Sequence, residues 1–228
     1  MKKLALCVLT AFSFSAHADN TGWSGCHAGL NAGYATGDNQ WTTKFFSNTA
    51  YDDNGGSATS KGPVGGAQLG CDLQHENWVA GAQGILDFAN SRGRHHYVGG
   101  TPYNYVTYET KRVAMLTGRL GYLFNPGTLV YIKAGWAWAD NRYNDSSPDN
   151  APPQTYRKSR VRDGWIAGVG VEYRFAPRMS FFAEYNHIEF GKETLHLDSA
   201  LATGADDYRA SIEQDASALL LGVNYHFQ

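Results

Sequence analysis

The chain has 228 residues, with 19 Lys and Arg against 21 Asp and Glu and a formal charge of −2. That balance excludes the basic footprint of a nucleic-acid binder. No apolar run reaches the roughly 18–20 residues of a membrane-spanning helix. Any crossing must therefore use strands, which need only about 9–11 residues with every second one apolar.

Met1-Lys2-Lys3, the apolar stretch Leu4 to Phe14 and the small-x-small Ala16-His17-Ala18 read as a signal peptide over residues 1–18. Export through the Sec pathway with cleavage near Ala18 leaves residues 19–228 as one mature domain. Because Lys2 and Lys3 leave with the leader, the mature chain is more acidic. Period-two alternation then marks eight segments, at about 23–36, 63–74, 78–90, 108–124, 128–141, 161–176, 179–191 and 216–227. Three connections are short: His75-Glu76-Asn77, Asn125-Pro126-Gly127 and Ala176-Pro177-Arg178. Four are long and polar, at 37–62, 91–107, 142–160 and 192–215; residues 52–62, rich in Asp, Asn, Gly and Ser, read as mobile loop.

Short turns at one end and long loops at the other predict an all-β chain: an eight-stranded, antiparallel, up-and-down transmembrane β-barrel with its termini on the periplasmic side. The faces separate along each segment. Leu219, Leu221, Val223, Tyr225 and Phe227 alternate with Ala218, Leu220, Gly222, Asn224 and His226. A soluble sandwich would share this alternation, but the aromatics of the apolar set collect at segment ends. Trp78, Tyr122, Phe124, Tyr173, Phe175, Phe181, Tyr225 and Phe227 lie near the short turns, and Tyr34, Phe88, Trp138 and Trp165 near the long loops. Two such girdles are what the two membrane interfaces select.

Arg119, Lys133, Glu172 and Glu184 fall on the polar face at similar distances from their turns. A basic side chain at the lipid midplane costs about 2–4 kcal/mol, so all four are expected in the lumen as an ion-pair cluster. A barrel of eight strands has an interior that side chains fill, which favours a plug over an ion path. Cys26 and Cys71 fall on the outward set near the periplasmic rim. The oxidising periplasm points to a cross-strand disulfide, with two unpaired, lipid-facing thiols as the alternative. No CxxC or tight Cys/His spacing suggests a metal site.

Trp23-Ser24-Gly25-Cys26-His27-Ala28-Gly29-Leu30-Asn31-Ala32-Gly33-Tyr34 resembles the opening strand of the small outer-membrane β-barrel surface antigens (porin-family, opacity-type) common in alphaproteobacteria. Gly118-Arg119-Leu120-Gly121-Tyr122 with Leu129-Val130-Tyr131 resembles their central hairpin. Gly164-Trp165-x-x-Gly168-x-Gly170-x-Glu172-Tyr173, then Pro177, Glu184-Tyr185 and Phe190-Gly191, is similar to the hairpin that follows. Leu220-x-Gly222-x-x-Tyr225-x-Phe227 looks like the C-terminal signal read by the barrel assembly machinery, with Gly222, Tyr225 and Phe227 carrying it. Two departures stand out: the family usually has aromatic residues where Cys26 and Cys71 stand, which suggests pairing, and Gln228 follows the terminal aromatic.

The resemblance implies a structural surface protein of the outer membrane that supports envelope integrity. Its partners are lipid, lipopolysaccharide and the assembly machinery, with no external ligand assigned. Some members are similar to haemin-binding proteins, and Arg94-His95-His96-Tyr97 offers His95, His96 and Tyr97 as haem ligands; two solvated loop histidines are the plainer reading. A narrow porin is a further alternative. A lipid A-modifying enzyme is a weaker one, resting on outward His187 and Glu189, for which no third partner, such as an outward serine at that level, can be placed from sequence. No catalytic residue is assigned, and no cofactor other than haemin is in question.

Overall fold

The computed structural model describes residues 22–46, 49–96, 105–147, 154–198 and 207–227; residues 1–18, read above as a signal peptide, lie outside them. Eight strands run in chain order: β1 (Gly25–Phe46), β2 (Thr49–His75), β3 (Trp78–His96), β4 (Tyr105–Asn125), β5 (Thr128–Ser147), β6 (Gln154–Ala176), β7 (Met179–Asp198) and β8 (Asp207–Phe227). Each pairs antiparallel with its neighbours, and β8 pairs with β1 to close the barrel.

The two faces fall as the alternation predicts. In β6, Arg162, Gly164, Ile166, Gly168, Gly170 and Glu172 are buried, while Val161, Trp165, Val169, Val171, Tyr173 and Phe175 are exposed. Water would not tolerate a continuous exposed wall of Leu, Val and aromatic side chains; hydrocarbon does. Phe175 and Trp165 mark the two girdles on β6. The ten residue steps from one to the other span about 33 Å of strand at ~3.3 Å per residue. A tilt of ~40° turns this into a belt about 25 Å tall, the height of the apolar band of such barrels. Near the short turns the girdle aromatics pack edge to face, Trp78 on Tyr122 and Tyr225 on Phe227.

The short turns are tight. Glu76 takes the left-handed φ of 52°, and its carbonyl accepts a hydrogen bond from Gln74 Nε2 at 2.8 Å. Each turn is also tied to the following strand pair: Leu123 N donates to Asn77 O, Arg174 N to Gly127 O and His226 N to Arg178 O, at 2.8–2.9 Å.

The long connections differ from the reading above. Most of 37–62, 91–107, 142–160 and 192–215 is strand, and residues 52–62, read as mobile loop, lie in β2, where Asp53 pairs with Thr43 and Gly56 with Trp41. Beyond the lipid neither face must be apolar, so the hydropathy alternation stops. The backbone ladder needs no hydropathy and continues.

Closure ends before the strands do. The β2–β3 ladder reaches Val64↔Ala89 and then Lys61↔Arg92, skipping Gly62 and Pro63, and the β6–β7 ladder ends at Trp165↔Glu189. Proline lacks the N–H that a ladder needs. On the other seam, Gly191 at φ 68° lies just past the end of the ladder, within an irregularity of the β7–β8 pairing, and Arg162 Nη2 reaches Gly191 O at 3.2 Å. All other ladders go on, as in Phe45↔Arg209, His96↔Tyr105 and Ser147↔Gln154. Outside the membrane the described strands thus form two four-stranded blades, β7-β8-β1-β2 and β3-β4-β5-β6.

Candidate functional site: a sealed polar lumen

The inward face is polar toward the short-turn end, and glycines make the room. A Cβ on Gly29 would lie 2.1 Å from Asn224 Oδ1, one on Gly81 2.0 Å from Asp72 Oδ1, and one on Gly168 2.3 Å from Asn186 Oδ1. Each of these polar side chains lies across the backbone of a neighbouring strand where any larger residue would displace it.

Arg119 and Glu172 are buried and paired, Nη1 to Oε2 at 2.9 Å. Arg119 also grips Asp72 with Nε at 2.8 Å and with Nη2. Glu172 Oε1 accepts from Ser180 Oγ at 2.5 Å and Asn224 Nδ2 at 2.7 Å, and Asn224 Oδ1 accepts from Gln68 at 2.7 Å. Since the serine hydrogen goes to Glu172, His226 Nε2, 2.9 Å from Ser180 Oγ, is the donor to that oxygen. His27 Nδ1 lies 3.2 Å from Asp72 Oδ2 in poor hydrogen-bond alignment.

Lys133 and Glu184 form the second pair, Nζ to Oε2 at 2.5 Å. Glu184 also accepts from Tyr131 Oη at 2.7 Å and Asn186 Nδ2 at 3.2 Å. The four charges expected as one cluster thus form two pairs, joined where the Arg119 guanidinium lies 5.2 Å from the Tyr131 ring centroid. Sequence reasoning confined the cluster to β4–β7 and missed Asp72, His27, Ser180, Asn224 and His226. Their inward parity was visible, but the meeting of Asp72 with Arg119, and of Asn224 and His226 with the Glu172–Ser180 pair, depends on closure through β1, β2 and β8.

Trp23 seals the periplasmic end. Its indole is buried, donates to Pro126 O at 3.2 Å and lies 4.5 Å from the Arg174 guanidinium, while its backbone N donates to Gln74 Oε1 at 2.6 Å. Farther out the lumen turns apolar around Ile85, Met115, Ile166, Ile188 and Phe190. A polar layer follows, in which Arg162 and Asn141 both donate to Gln214 Oε1.

On the outer face Cys26 and Cys71 are register partners joined by a disulfide, and Cys26 is also paired with Phe227 across the closing seam. Gly222 is buried with the Phe182 ring against it, and Tyr225 and Phe227 face outward. His95 and His96 belong to β3, paired with Val106 and Tyr105, so they are not in a loop as the sequence reading held; their side chains, and all of Tyr97, lie outside the described residues. His187 does have an outward serine beside it: Nδ1 is 3.1 Å from Ser217 Oγ, which Tyr185 Oη also meets at 3.1 Å. Sequence alone could not place this serine, because the His187↔Ser217 register spans a long connection, whose length does not fix strand offset. Among the described residues no group of three His, Cys, Asp or Glu could hold a metal.

The chain is 27% identical over 218 residues to the 31 kDa outer-membrane immunogenic protein of Brucella melitensis, covering 93% of this chain and 87% of that one. It is 35% identical over 121 residues to an uncharacterized protein of Coxiella burnetii, a match that spans 46% of that relative. Among solved structures, the outer membrane protein OprG from Pseudomonas aeruginosa superposes with a TM-score of 0.62 at 13% identity, covering 91% of this chain and 99% of that one. The outer membrane protease OmpT from Escherichia coli does so at 0.55 and 12% identity, covering 89% and 97%. A fold by itself assigns no chemistry. A family model described as an outer membrane protein beta-barrel domain matches residues 4–227, and the chain belongs to that family.

Proposed function

We propose that this is a structural surface protein of the outer membrane, an antigen-like barrel that supports envelope integrity and presents its strand extensions to the exterior. One observation carries the reading: the lumen is blocked by interlocked buried charges and closed beneath by Trp23. Such a barrel conducts nothing large and leaves its outer surface as the working part. Similarity to proteins named outer-membrane immunogenic proteins supports exposure at the cell surface. The partners are the lipid and lipopolysaccharide around the girdles and, during biogenesis, the barrel assembly machinery; residues 1–18 act as the export signal. A deletion strain should become permeable to detergent and regain its barrier on complementation, while purified protein in planar bilayers should give no large steady conductance. An intact barrier in the deletion strain, or stable large channels, refutes the proposal.

The Ser217–His187 contact favours a second reading, hydrolysis of a lipid ester at the outer leaflet. Among the described residues no carboxylate orients the imidazole through its second nitrogen, as triad chemistry requires, so the non-catalytic reading stands first. Mass spectrometry of lipid A from wild-type and Ser217→Ala strains separates the two; a mass difference of one acyl chain would establish the enzyme.

A further inference from the structure

Outward of the plug the lumen holds a cavity of about 60 Å³. Val113, Met115, Ile188, Phe190 and Leu220 are among the side chains that wall it, and Asp87 and Asn186 line its inner part. Both polar residues are buried, at 2% and 1% exposure. Asp87 receives one hydrogen bond, from Asn31 Nδ2 at 2.9 Å. The cation nearest along the lumen, Lys133, is committed to Glu184. Asn186 donates one amide hydrogen to Glu184, and among the described residues neither its Oδ1 nor Asn31 Oδ1 has a donor. A buried carboxylate with a single donor, and buried amide oxygens with none, are costly unless something donates to them.

We propose that this cavity binds a small primary alkylammonium ion, with its –NH₃⁺ between the Asp87 carboxylate and Asn186 Oδ1 and its alkyl tail against the apolar wall. An ammonium group offers three donors and no acceptor, which is what the inner end lacks. The walls disfavour a bare inorganic cation, because they offer hydrocarbon where such an ion needs oxygen ligands on every side. The size agrees: one water-sized sphere takes roughly 10–15 Å³, so the cavity admits about four heavy atoms, as in propylammonium. Entry is from the exterior, since the plug and Trp23 bar the periplasmic side.

The test uses the full mature barrel in detergent, titrated with propylammonium chloride and, in parallel, with 1-propanol and with potassium chloride. Calorimetry and side-chain amide NMR shifts of Asn31 and Asn186 are read together. Propylammonium should saturate at about millimolar concentration, as suits a ligand of four heavy atoms. Asp87→Asn should weaken it about tenfold or more, since a charge-assisted hydrogen bond is lost. Ala216→Leu, which fills the cavity while keeping the carboxylate, should abolish binding, and Asp140→Asn, an outward carboxylate salt-bridged to Arg112, should leave it unchanged. Propanol or potassium binding as tightly as propylammonium, unchanged affinity in Asp87→Asn, or no saturation at all would overturn the assignment.

Discussion

The Lys133–Glu184 pair allows a sharp test of what the plug contributes. Both side chains are buried, at 3% and 2% exposure, and Glu184 is the only charged partner of Lys133 among the described residues. Lys133→Met leaves a buried carboxylate with Tyr131 and Asn186 as donors; Glu184→Gln leaves a buried ammonium facing an amide. Removing one partner of a buried pair costs about 3–5 kcal/mol, so either single change should take a large share of a typical stability. The double variant buries no net charge, and replacing both partners of such a pair is often close to neutral. It should therefore lose only about 1–2 kcal/mol, mainly from hydrogen bonds left imperfect. The cycle then yields a coupling of at least about 3 kcal/mol between the two sites. Urea unfolding in phospholipid vesicles, followed by tryptophan fluorescence and by gel mobility with and without heating, gives the four midpoints. Additive single effects would show that the two charges do not depend on each other, and the account of the plug as an interlocked ion-pair core would fail.

Three other outcomes follow from the geometry. Gly29→Ala drives a methyl into Asn224 and the Val223 carbonyl and should cost about 1–3 kcal/mol, whereas Gly84→Ala meets nothing within 4 Å and should stay within about 0.5 kcal/mol; equal urea midpoints would contradict the packing described. Replacing Cys26 and Cys71 by Ala removes a link between residues 45 apart, worth up to about 4 kcal/mol of denatured-chain entropy, and the double variant should unfold at lower urea than the oxidised protein. Deleting Phe227 and Gln228 should reduce the heat-modifiable folded band in membranes, because Phe227 pairs with Cys26 at the closing seam; deleting Gln228 alone should not.

The sequence speaks where lipid constrains it. Between the girdles every second residue answers to hydrocarbon, so strand number, faces and the inward placement of Arg119, Lys133, Glu172 and Glu184 can be read from alternation alone. Outside the belt that constraint ends, which is why the upper halves of β1, β2 and β6 looked like loop. Partners across long connections were equally illegible. Asp72 meets Arg119, and Ser217 meets His187, through register that only the closed sheet fixes.

The early end of the β2–β3 and β6–β7 ladders has an evolutionary consequence. In a fully closed barrel a change in strand offset must be absorbed around the whole circumference, because tilt and stagger are linked. Here that linkage is broken after Val64↔Ala89, with Lys61↔Arg92 the last pair beyond the break, and it stops at Trp165↔Glu189. An insertion that lengthens one exterior hairpin is therefore borne by its own blade and does not disturb the transmembrane stave order. Surface variation can accumulate there at little structural cost to the part that holds the protein in the membrane.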